Sequence, residues 1–147
     1  MKYETIYWDD VIEGEELPIL TREITATTVV SGTIAVRDFY PLHHDFHFAK
    51  KAGLRHIVTS YIITSGYLSS YLTKWSGPEG ELKRIKFRIR ASCYPGDTLT
   101  MKGKIVKKHI DKDKHLVDIE YDFTVLEGSH CKGSAAMILP TKNAVPG

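Results

Sequence analysis

Between residues 83 and 91 polar and apolar positions alternate one for one: Ile85, Phe87, Ile89 and Ala91 share one face, and Arg84, Lys86, Arg88 and Arg90 the other. That period of two marks a half-buried strand. The same criterion predicts strands over 98–108, 116–126 and 129–139. Their boundaries are the turn Pro95-Gly96-Asp97, a polar hairpin loop over 109–115 and the break Glu127-Gly128. Upstream the period lengthens. Val58, Tyr61, Ile62, Leu68, Leu72 and Trp75 recur at helical spacing, which predicts one helix over 58–75 that Gly77-Pro78 stops. It holds no Asp or Glu and a single cation, Lys74, which implies burial on most sides.

The first half is less regular. Residues 1–24 hold turn signals and an extended piece starting at Leu17. Residues 25–36 are β-branched and fit a short helix or a strand. Pro41 keeps residues 37–45 irregular, and Asp45 then N-caps a short helix over 46–52 that Gly53 terminates. The order is α+β: a strand, an irregular loop, one long helix and a meander of four antiparallel strands. A sheet wrapped around that central helix covers its own apolar face. The exposed edge strand predicts that two such units pair. Residues 1–147 are expected to form one domain, with 140–147 as a flexible tail.

Composition removes several functions. With 42% hydrophobic residues and a formal net charge of +2, the chain is neither disordered nor biased enough for duplex nucleic acid. The charged N-terminus lacks the apolar stretch of an export signal, and the longest apolar run, Ala135 to Leu139, is too short for a membrane span. A soluble cytoplasmic protein is expected, with Cys93 and Cys131 as reduced core thiols.

The densest polar cluster is Asp38, His43, His44, Asp45 and His47, in the loop before the long helix. Such loops, held on a rigid scaffold, concentrate catalytic groups. Pro41, between Asp38 and His43, can bend the chain so that both side chains enter one space. A carboxylate beside an imidazole can orient a water and take its proton near neutral pH. Two other readings stand beside this one. Asp38 can be a turn acceptor with surface histidines around it, or His43, His44, Asp45 and His47 can ligate a metal. Adjacent residues rarely bind one ion and no distant Cys/His pair completes a tetrahedron, so no metal is expected. The cations of 84–90 fit a phosphate site, a solvated outer face or a partner's acidic surface. Tyr67, Tyr71 and Trp75, on one helix face, read as core or subunit-interface packing.

The run RDFYPLHHDFHFA, from Arg37 to Ala49, resembles the D-x-N-P-x-H-x-D…A signature of the MaoC-like (R)-specific enoyl-CoA hydratases. Pro95-Gly96-Asp97-Thr98-Leu99 resembles their P-G-D-x-L element, and WDDVIEGEELP their opening segment. One subset, the small MaoC-like subunits of steroid side-chain enoyl-CoA hydratases, shares R-D-F-x-x-x-H-H-D. It also shares T-x-W-x-G-P, which stands here from Thr73 to Pro78. Two positions depart from the wider family: Tyr40 replaces its usual Asn, and Thr59-Ser60 its usual His-Gly. The steroid-type small subunits also lack His-Gly there.

The resemblance implies the hot-dog fold and a hydro-lyase of lipid metabolism that adds water to a trans-2-enoyl-CoA thioester, a steroid side-chain enoyl-CoA among the candidates. The reverse reaction would dehydrate a 3-hydroxyacyl-CoA. Beyond the thioester substrate no cofactor is implied. Carried over, His43 is the general base, while Asp38 orients the water and helps return the proton to C2. The backbone amides of Ser60 and Tyr61 meet the charge that develops on the thioester oxygen. Arg84, Lys86, Arg88 and Arg90 become candidate ligands of the coenzyme A phosphates. A homodimer or a heteromer with a second MaoC-like subunit is implied, with a thiolase-like or aldolase-like partner. Two rivals remain. A hot-dog thioesterase commonly carries a carboxylate on or near its central helix, which 58–75 lacks. Against a non-catalytic acyl-CoA-binding or structural subunit stand both Asp38 and His43.

Overall fold

The computed structural model describes residues 4–142. A short strand, β1 (Leu20–Glu23), leads to the β-branched stretch, which is a helix, α1 (Ala26–Ala35). Thr25 starts it by accepting a hydrogen bond from Thr28 N at 3.0 Å, and the helix buries Val29 and Thr33. A single 3-10 turn, Pro41–His43, follows. Asp45 then caps α2 (Phe46–Lys51) as its sequence predicts, accepting from Phe48 N at 2.9 Å.

The central helix, α3 (Tyr61–Ser76), starts three residues later than its apolar spacing suggests. Val58 lies outside the helix and donates its N–H to Leu42 O in the preceding 3-10 turn, and Ser60 is the N-cap. At the other end Gly77 takes a positive φ of 78°, and a Cβ there would strike the Glu4 carbonyl.

Four strands follow: β2 (Glu81–Ile89), β3 (Thr98–Asp111), β4 (Lys114–Val125) and β5 (Gly128–Ile138). The sheet runs β1-β3-β4-β5-β2 and every pairing is antiparallel. The expected four-strand meander is therefore corrected. Only β3, β4 and β5 are sequential neighbours, while β2 pairs with β5 at the far edge, Ile85 opposite Ala135. The expected loop over 109–115 also shrinks. Lys112 and Asp113, both at positive φ, close a two-residue hairpin, and β3 and β4 run up to it.

One face of the sheet wraps α3. Leu68, Tyr71 and Leu72 pack with Ile105, Val117, Ile119, Phe123 and Met137, each buried side chain contributing roughly 1.5–3 kcal/mol. Tyr71 meets Phe123 edge-on at 5.5 Å and donates its hydroxyl to Pro18 O, so of the helical aromatic row Tyr71 is core, while Tyr67 and Trp75 pack against it partly buried. Burial on most sides is not what the single chain shows: Tyr61, Gly66, Thr73 and Lys74 are exposed, and α3 buries one stripe. Of the expected tail, 143–147 lies outside the described residues. Pro140 O accepts from Trp8 N, and Lys142 bonds to Asp9 and Asp10.

Candidate active site

The 3-10 turn and the lead into α3 lie side by side, because Val58 N donates to Leu42 O at 3.0 Å. His43 Nδ1 lies 2.6 Å from Val58 O. A carbonyl only accepts, so Nδ1 carries the proton, and in the neutral ring Nε2 keeps a bare lone pair. That nitrogen faces Asp38 Oδ2 at 3.5 Å, with both side chains largely buried. Asp38 is held by its own N–H to Thr33 O, and its Oδ1 accepts from Tyr40 N. In the neutral ring both groups are acceptors, and a water molecule, with two hydrogens to give, can serve both.

The start of α3 is clamped on both sides. The peptide between Val58 and Thr59 accepts from His43 through its carbonyl and donates through Thr59 N to Cys93 O at 2.9 Å. Two peptides on, Ser60 O accepts from Thr64 N at 3.2 Å and lies 3.3 Å from Thr64 Oγ1. The amides of Ser60 and Tyr61 precede the first i→i−4 bond, so the helix itself uses neither. The helix dipole adds roughly half a positive charge at that end. Tyr40 stands edge-on to His43 and Phe48, and Tyr61, the first residue of α3, is exposed.

The Pro95-Gly96-Asp97 turn supports this arrangement from behind. Buried Asp97 accepts from Tyr94 N at 2.8 Å and from Arg55 at 2.5 Å. The Arg55 guanidinium lies over the Tyr94 ring, 4.2 Å from its centroid, and reaches Glu127 as well. Together they fix the segment bearing the Cys93 carbonyl. His130, absent from the sequence-based candidates, reaches Thr64 Oγ1 with Nε2 (3.0 Å) and Ala91 O with Nδ1 (2.7 Å). Its partners lie 66 and 39 residues away, so no local pattern announces it.

The remaining candidates do not converge here. His44 ends the 3-10 turn, Asp45 caps α2, and His47 packs against Phe46. Among the described residues no three His, Cys, Asp or Glu side chains gather as a metal site. By register Arg84, Lys86 and Arg88 lie on the outer face of the sheet, away from α3 and the Asp38–His43 pair; Arg90 leaves β2 beside the His130 backbone. Their counter-charge is a row on β4, Asp118, Glu120 and Asp122, which the alternation of that strand makes legible. Arg84 reaches Asp118 at 3.6 Å and Lys132 reaches Asp122 at 3.7 Å. Cys93 and Cys131 are buried free thiols, and burial pushes each up to about 11. Among the described residues no helix is long and apolar enough to cross a membrane.

The Asp38–His43 pair thus lies in the loop and 3-10 turn beside the entry to the wrapped helix. The MaoC like domain family matches residues 12–126, and the chain belongs to that family. It is 33% identical over 94 residues to the 3-oxo-4,17-pregnadiene-20-carboxyl-CoA hydratase beta subunit of Mycobacterium tuberculosis, covering 64% of this chain and 73% of that one. Among solved structures it is similar to a chain of the ChsH1-ChsH2 complex from Mycobacterium tuberculosis: TM-score 0.81, 27% identity, 87% of this chain and 98% of that chain. The R-hydratase PhaJ1 from Pseudomonas aeruginosa superposes with a TM-score of 0.84 at 16% identity, over 97% and 95% of the two chains. The fold is the hot-dog fold.

Proposed function

We propose that the chain is the water-activating subunit of an enoyl-CoA hydratase. The observation that carries this reading is His43 Nε2 facing the Asp38 carboxylate at 3.5 Å, with Nδ1 engaged by Val58 O, beside the free amides of α3. A water donating to both groups attacks C3 of a trans-2-enoyl thioester. A C3–O bond forms, the C2–C3 π bond opens, and His43 takes the water's proton. Negative charge moves to the thioester oxygen, where the Ser60 and Tyr61 amides receive it. Asp38 keeps the water oriented and helps deliver the proton to C2. Acid–base help of this kind is worth about 10²–10⁴-fold, and one preorganised oxyanion donor about 2.7–4 kcal/mol. Exposed Tyr40 beside His43 and exposed Tyr61 at the start of α3 suit an acyl group larger than a short chain, and the hydratase relative is named for a substrate of that kind.

A heteromer with a second MaoC-like subunit is supported by the complex in which the similar solved chain occurs. A non-catalytic acyl-CoA-binding subunit is the second reading, favoured by Thr59-Ser60 where the wider family has His-Gly. Hydration is followed by loss of enoyl absorbance, using crotonyl-CoA and a steroid enoyl-CoA, with and without a co-expressed MaoC-like subunit. Turnover of either ester supports the proposal. Binding without turnover under all four conditions supports the second reading, and release of free thiol supports a thioesterase.

A further inference from the structure

His130 is 2% exposed, and both ring nitrogens are engaged. It is the extra residue where β5 shifts register against β4, between Ser129 opposite Thr124 and Cys131 opposite Phe123. Such a bulge re-aims a side chain, and here the ring points inward to α3. Ala91 O can only accept, so Nδ1 carries the proton. Nε2 then accepts the hydroxyl proton of Thr64, whose own N–H is given to Ser60 O. Ser60 O shares a peptide plane with the Tyr61 N–H, so holding one aims the other. A pair of apolar side chains could fill this space without the cost of burying polar atoms. What the His130–Thr64 pair adds is direction.

We propose that His130 is a positioning residue which, acting through Thr64, sets the tilt of the Ser60–Tyr61 peptide and thereby aims the Tyr61 N–H at the thioester oxygen. The inference rests on the hydratase reading and extends it to a residue that does not touch substrate. Three variants separate direction from bulk. In His130→Gln the amide oxygen reaches the Nε2 position and still accepts from Thr64. In His130→Asn the side chain keeps only the Ala91 bond, and Thr64→Val removes the hydroxyl. His130→Asn and Thr64→Val are each expected to lower kcat about 10-fold with KM within about twofold, while His130→Gln retains most activity. The His130→Asn/Thr64→Val double variant is expected to be no slower than the slower single one. The amide ¹H–¹⁵N shift of Tyr61 is expected to move in His130→Asn and Thr64→Val and to stay in place in His130→Gln. That readout needs no turnover, so an inactive wild type showing it would sink the hydratase reading and leave the positioning role standing. An unmoved Tyr61 amide, with kcat losses that merely track melting temperature in all three variants, overturns the proposal.

Discussion

At the residue scale the site is a matter of which atoms carry protons. Val58 O fixes the tautomer of His43, and Ala91 O fixes that of His130. The two rings differ in surroundings: burial holds His130 below its ordinary 6.5, although its bond to Ala91 O and the charge of Asp97 pull the other way. In the unfolded chain His130 binds a proton below pH 6.5, where the folded chain still resists it. Stability from this group is complete above pH 6.5 and is lost as pH falls toward the lower folded value. Thermal melts between those limits should fall on acidification, and His130→Gln should flatten that slope; an unchanged slope would remove the assignment. Asp38 and His43 were legible because proline and short spacing confined them to one loop. His130 was not, since its role is written in contacts between β5, the end of β2 and the first turn of α3.

At the scale of elements, the entry to α3 depends on the brace behind it. Arg55→Ala leaves the Asp97 carboxylate buried without its cation, and half-exposed Arg55 limits the loss to about 1–3 kcal/mol. Urea midpoints should show that loss, and Asp97→Asn in the Arg55→Ala background should recover part of it. No recovery would mean that the pair is not coupled. The caps of α2 and the alternation of β2 were legible because they follow from neighbours in sequence. The helical state of 26–35 was not: Thr and Val favour strands locally, and the Thr25 cap with burial of Val29 and Thr33 decides otherwise. The ends of β3 and β4 looked like loop because they face solvent and carry no apolar demand. Pairing of β2 with β5 is a long-range choice that no local period encodes.

At the scale of the molecule, one sheet and one helix leave two edges and a half-covered helix. β1 is four residues long and β2 nine, so a second subunit adding to the longer edge would lie along β2. Hydrogen exchange of the chain with and without a MaoC-like partner should then protect residues 81–89, and protection elsewhere alone would contradict that edge. The central claim is narrower: Asp38 and His43 act as one unit on one water. Steady-state hydration by wild type, Asp38→Asn, His43→Ala and the double variant, with folding checked by circular dichroism, tests it directly. The account predicts losses of at least about 10²-fold for each single variant and a double variant no worse than the poorer single one. Near-normal rates in either single variant, or losses that multiply in the double, would contradict it.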